Sequence, residues 1–241
     1  QSDANIRWLR GNTGAHLHID LIAGLPGETL DSFAKGFDRL VALRPHEIQV
    51  GILKRLRGTP IARHTQPFSM QYSPHPPYNL LANALLDFPT MQRLQRFARY
   101  WDLVGNSGRF VHAMPHLLGS EPFERFLRFA DWLYARTGQT HAIALDRLFD
   151  LVYTALTELF KITDDRACGL LAADYSASGA RGAPLFLHGQ ELQRTRRCPE
   201  AQPAGATRQA RHQRPVAIEV GDSSRSISSS QSHPAPARAE R

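Results

Sequence analysis

Cysteine and lysine are nearly absent from this chain. Two cysteines among 241 residues, Cys168 and Cys198, exclude a disulfide-rich secreted scaffold. They equally exclude any cofactor that takes three thiolates from this chain. No run approaches the roughly 18 consecutive apolar residues of a membrane helix, so a helical span is excluded. Lys35, Lys54 and Lys161 are the only lysines among 29 basic residues. The formal charge of +7 therefore rests on arginine, spread thinly with no long basic run. Such a bias reads as the imprint of a GC-rich genome, and no nucleic-acid partner is expected. Aromatic residues are missing altogether from 190–241, a stretch of Arg, Ser, Ala, Pro and Gln. It has too little apolar surface to offset chain entropy. The pattern dissolves from about residue 163, so 163–241 is expected to be a largely disordered tail or an out-of-frame translation. The chain opens on Gln1 with no charged-then-apolar leader. That predicts a cytoplasmic piece of a longer protein whose N-terminal part is missing.

What remains is 42% hydrophobic, enough for one or two domains with a real core. Residues 1–10 read as the end of a helix broken by Gly11 and Gly14. Residues 16–24 alternate a polar row (His16, His18, Asp20) with an apolar row (Leu17, Ile19, Leu21), the period of a strand. After Leu25-Pro26-Gly27-Glu28, Thr29 can cap a helix whose Leu30, Phe33, Phe37, Leu40 and Val41 share one face, and Pro45 stops it. Residues 47–53 form a second strand. Strand, helix, strand is the βαβ unit of a parallel sheet, and one such unit cannot close a sheet. Residues 58–78 are Pro-rich and irregular, and 79–104 have helical spacing interrupted by Pro89. Ser120 can cap a helix over 121–136 and Thr140 another over 141–161, both with apolar stripes.

The chemistry-bearing segment is the first strand and its turn, because parallel α/β folds place ligands at the carboxyl ends of strands. Asp20, Ile22 and Gly24 share one face leading to that end. Glu28 stands at the positive end of the next helix. The run Asp20-Leu21-Ile22-Ala23-Gly24-Leu25-Pro26-Gly27-Glu28-Thr29 resembles the late barrel strand of radical S-adenosylmethionine (SAM) enzymes, where D-x-I-x-G-x-P-G-E-T recurs. Arg57-Gly58-Thr59-Pro60-Ile61-Ala62 is similar to the segment after their next strand. The order of the two pieces looks most like the cobalamin-binding type, in a poorly characterised group with a helical C-terminal extension.

The resemblance covers 5–110 well and 111–162 loosely. It implies an α/β fold: the last part of a radical SAM (β/α) TIM-type barrel over 1–70, an irregular and helical connection over 71–118, and a helical extension over 119–162. It implies that Ile22, Ala23, Gly24 and Arg55 contact SAM, with backbone contacts to adenine and Gly24 leaving room. His18, Asp20, Gln49, Gly51 and Lys54 become barrel-interior or substrate candidates. The family's chemistry is radical-based modification or methyl transfer, driven by a [4Fe–4S] cluster on a C-x3-C-x2-C loop, with cobalamin on a separate domain. Neither that loop nor the cobalamin site is in this chain, and Cys168 and Cys198 are 30 positions apart. The expectation is a chain inactive alone, acting on a substrate the sequence does not name.

Two other readings stand beside it. His16-x-His18-x-Asp20 has the spacing of a strand-borne metal site, as in amidohydrolase-like hydrolases. The helices of 79–161 can instead make a non-enzymatic interaction module.

Overall fold

The computed structural model describes residues 2–187. Over them the fold is mixed α/β, mostly helical, with few strands and no closed barrel. Helix α1 spans Ser2–Asn12, ahead of strand β1 (His18–Ala23). Helix α2 (Leu30–Leu43) starts where the sequence predicts, with Thr29 and Ser32 in a reciprocal capping box. It ends on Arg44 in the left-handed conformation, just before Pro45. Strand β2 (Glu47–Ile52) then pairs parallel to β1, His18 opposite Glu47 and Ala23 opposite Ile52.

Alternation divides this pair into two faces. Leu21, Ala23, Ile48, Val50 and Ile52 pack toward the helices, and alternation puts Ile19 on the same face. His18, Asp20, Ile22, Glu47, Gln49 and Gly51 turn the other way. The helical side is built on aromatic rings. Phe37 of α2 meets Phe97 and Trp101 edge-on at 5.0 and 4.8 Å, and Phe126 closes on Phe97 and Trp101 at 5.2 and 5.0 Å. Burying one such ring contributes about 1.5–3 kcal/mol, and edge-on pairing adds to it.

Between residues 53 and 87 the structure departs from the predicted pattern. The expected helix from 79 is absent up to 87. Leu80–Ala82 is strand β4, paired antiparallel with β3 (Gln71–Tyr72), and Leu80 N–H donates to Leu53 C=O at 2.8 Å. Helix α3 (Phe88–Tyr100) starts at Asp87, whose carboxylate accepts from Thr90 N–H. Pro89 therefore opens this helix rather than interrupting it, because the first turn has no N–H to lose. The helix runs into a π-turn at Trp101–Gly105.

Short helix α4 (Met114–Leu118) precedes α5 (Pro122–Thr137), and α6 (Leu145–Thr154) follows. Neither predicted cap is used. Glu121 is the N-cap of α5, and the free Phe123 N–H is met by Asp38 of α2 at 2.7 Å, a partner far away in sequence. Around Thr140 the chain is drawn away from helical geometry by α3. Tyr100 donates to Gln139 C=O at 2.6 Å and Arg99 to Thr140 C=O at 3.2 Å, so α6 starts only at Leu145.

The tail expectation fails over its first part. Helix α7 spans Asp164–Ser178, and a 3-10 turn covers Leu185–Leu187. Asp164 and Asp165 occupy the positive end of α7, and Ala167, Cys168, Leu171 and Tyr175 make its buried stripe. The rest of the predicted tail, 188–241 with Cys198, lies outside the described residues. No described helix is long and apolar enough to cross a membrane.

Candidate functional site

The face of β1–β2 that turns away from the helices carries the polar row. Its centre is His18. His18 Nε2 lies 2.9 Å from Asp20 Oδ1 and 2.9 Å from Gln49 Oε1, while Nδ1 lies 3.2 Å from Glu47 Oε2. A neutral imidazole has one N–H and the imidazolium has two. With acceptors at both nitrogens, this setting favours the doubly protonated ring. Partial burial, the largest single influence, works against the charge. The bonds to Asp20, Glu47 and Gln49 together outweigh it, so His18 titrates above its ordinary range.

Sequence reasoning missed Glu47 as a member of this group. The available signal was parity: Glu47, Gln49 and Gly51 are the alternate positions of β2, as His18, Asp20 and Ile22 are of β1.

Toward the carboxyl ends of the strands the same face opens into a cavity of about 340 Å³. Five of the predicted residues line it: Asp20, Ile22, Gln49, Gly51 and Lys54. Leu25, Ile52 and Leu53 complete its apolar part. Gly51 makes space, but for a neighbour: a Cβ there would stand 3.0 Å from Ile22 Cδ1. His18 lies one step back, bonded to two of the lining side chains.

The remaining predicted residues point elsewhere. Ala23 is fully buried among the helices, and its C=O accepts from Leu53 N–H at 3.0 Å. Gly24 has φ +94°, and a Cβ on it would fall 2.5 Å from Leu80 Cδ2. The room it leaves is filled by Leu80. Its N–H donates to Glu28 at 3.2 Å, and its C=O accepts from Asn83 at 3.5 Å. Half-buried, Glu28 has its carboxyl pushed up by burial, against the hydrogen bonds from Gly24 and Leu25. It latches the turn. Arg55 turns its guanidinium over the Tyr72 ring, 5.1 Å from the centroid.

For the metal reading, the His16 ring stacks on His46 at 4.8 Å, and His16 Nε2 is 3.9 Å from Glu47 Oε2. Among the described residues no group of three or more His, Cys, Asp or Glu is arranged to hold a metal ion. Cys168 is buried on α7, its Sγ 3.8 Å from Phe186 C=O, and burial pushes its thiol up. One buried, protonated thiol is unsuited to a cluster that takes several exposed thiolates.

A second constellation was not foreseen. Asp174 of α7 is 1% exposed and accepts from His112 N–H at 2.9 Å, His112 Nδ1 at 2.7 Å and Ala113 N–H at 2.9 Å. It ties α7 to the start of α4, and the outer edge of its imidazole partner faces solvent.

No curated protein and no solved structure matches the chain. A family model does match, over residues 66–215, which takes in β3, β4 and every described helix from α3 onward. That span is more than half of the chain, and the protein belongs to this family, described as a protein of unknown function (DUF4080).

Proposed function

We propose that β1 and β2 are the late strands of a radical SAM barrel of the cobalamin type, and that the cavity on their open face holds part of SAM. One observation carries the reading. The face expected to look into a barrel is the polar, uncovered one, and its cavity lies at the carboxyl ends of parallel strands.

The residues fit SAM in part. Ile22, Leu25 and Leu53 offer an apolar wall for an adenine, Lys54 a cation for a carboxylate, and Asp20 and Gln49 acceptors for hydroxyls. Bound SAM supplies a sulfonium whose carbon–sulfur bond is open to reductive cleavage. The role of this chain is to orient it: hydrogen bonds from His18 set the rotamers of Asp20 and Gln49, and Ile22 shields the site from water. The residues do not fit the [4Fe–4S] cluster, and cluster chemistry belongs to a segment other than this chain. The parent activity in this reading is radical-based modification or methyl transfer.

The test is an NMR titration of the isotopically labelled full chain with SAM. Saturable shifts at Ile22, Gly51 and Lys54, weakened several-fold by Lys54→Glu, are expected. Unmoved signals at these three positions at saturating SAM, or shifts indifferent to Lys54→Glu, overturn it.

A further inference from the structure

The outer edge of β2 faces a different space. In the parallel ladder, Glu47 N–H bonds to Leu17 C=O and Leu53 N–H to Ala23 C=O. Odd-numbered residues of β2 therefore turn their main chain toward β1, and Ile48, Val50 and Ile52 turn theirs outward. Each outward residue presents an N–H and a C=O side by side.

At Ile48 the molecule satisfies this pair with a side-chain amide. Asn106 Oδ1 accepts from Ile48 N–H at 3.3 Å, and Asn106 Nδ2 donates to Ile48 C=O at 3.0 Å. Trp101 Nε1 adds a second donor to that carbonyl at 2.9 Å. One planar carboxamide here replaces a neighbouring strand.

Two residues along, Val50 presents the same donor and acceptor, and Ile52 repeats it about 7 Å further on. Neither is paired with a described residue. Both border a groove of about 440 Å³ between β2 and α3, within the range of small-molecule sites. Gln95, Ala98 and Arg99 of α3, with Asp102 after it, form its opposite wall, and Asn79 also lines it. The Gln95 amide makes no hydrogen bond among the described residues. Asn79 Oδ1 is buried without a partner. Unpaired peptide and amide groups thus converge on one groove, where backbone groups without partners are costly to leave dry.

The groove also limits its occupant. Asn106 blocks the edge at Ile48, and the strand itself ends at Ile52. A peptide strand needs an edge that runs on, and only two residues are open. We propose that this groove binds a small planar ligand bearing a carboxamide or lactam edge, read by the main chain of Val50 as Asn106 is read by Ile48. The proposal does not depend on SAM binding at the open face.

The probe is 2-pyridone, a lactam with adjacent N–H and C=O, titrated into the isotopically labelled full chain. Saturable shifts of the Val50 and Ile52 amide signals are expected. N-methyl-2-pyridone keeps the ring and the carbonyl but lacks the donor, and should bind at least tenfold more weakly. Val50→Pro deletes the outward N–H at an edge position where proline is tolerated. Ala98→Trp fills the groove from a half-buried helix position, a second variant should the first fail to fold. Each is expected to weaken 2-pyridone at least tenfold. The proposal is overturned if the Val50 and Ile52 signals stay still up to the solubility limit, if the N-methyl compound matches 2-pyridone, or if Ala98→Trp binds like the wild type. Shifts confined to Ile22, Gly51 and Lys54 also overturn it, because they place the probe on the open face.

Discussion

Asp174→Ala provides the sharpest test of how the helical region is held together. The carboxylate is almost wholly buried and receives three hydrogen bonds, two from the main-chain N–H groups of His112 and Ala113 and one from the His112 ring. Alanine leaves both main-chain donors without a partner, the Ala113 N–H in a buried setting. A buried unsatisfied donor costs about 1–3 kcal/mol. Relief from burying a charge offsets part of this. The net expectation is a loss of about 3–4 kcal/mol, or a melting temperature lower by about 6–16 °C for a domain of this size. Asp174→Asn keeps the shape and one acceptor oxygen but presents an NH2 group to a donor, and should lose about 2 kcal/mol. His112→Ala removes only a ring that water can replace, and should stay within about 1 kcal/mol of the wild type. Urea unfolding of the three variants, read as midpoints at constant slope, measures the series. If Asp174→Ala falls within about 1 kcal/mol of the wild type, or His112→Ala costs as much as Asp174→Ala, the main-chain donors are not what the carboxylate serves.

Three further substitutions probe the strands and the turn after β1. Gly24→Ala forces an L-residue to φ +94° and drives its Cβ to 2.5 Å from Leu80 Cδ2, so a loss of about 2–4 kcal/mol is expected. Adding Leu80→Ala should recover the steric share and leave the backbone share, a coupling of about 1 kcal/mol or more in a double-mutant cycle; simple additivity would refute the packing argument. His18 has a folded-state pKa above its unfolded value of about 6.5. Its contribution to stability is therefore complete below that pH and is lost as pH rises through the folded pKa. Glu47→Gln should move the NMR titration of the His18 ring back toward about 6.5, and an unmoved titration would remove Glu47 from the group.

Local pattern made part of the fold legible. The two-residue period of 16–24 and the stripe from Leu30 to Val41 predict β1 and α2, and Thr29 marks the cap because its partner, Ser32, is three residues away. Where the partner is distant, the same reasoning fails. Ser120 and Thr140 have the right chemistry for caps. Asp38 serves the first turn of α5 instead, and Arg99 and Tyr100 hold the chain before α6. Helix α7 carries a weak pattern because only Leu171 and Tyr175 of its buried stripe are large, beside Ala167, Cys168 and Asp174, a charge that reads as solvent-facing until its three donors are seen. Alternation places Asp20 and Ile22 on the open face correctly but puts Gly24 there too, and the motif adds Ala23, whereas both of these lie on the packed side. The β2 groove has no sequence signal, since which main-chain groups face it depends on the partner strand.

The two edges of the parallel pair differ in a way that bears on how the sheet is completed. Two strands alone are marginal, and parallel strands usually have both faces covered. Here the helices cover one face, and Asn106 and Trp101 fasten the outer edge of β2 at Ile48, four residues before the strand ends at Ile52. The outer edge of β1 has no such fastening among the described residues. By the same parity, His18, Asp20 and Ile22 turn their N–H and C=O groups outward along that edge. A further strand thus has a continuous edge to join beside β1, and beside β2 only Val50 and Ile52, past the fastened Ile48. Joined there, it would extend the polar face past His18 and wall the cavity at Asp20 and Ile22. The asymmetry assigns sheet growth to β1 and leaves the β2 edge for a ligand shorter than a strand.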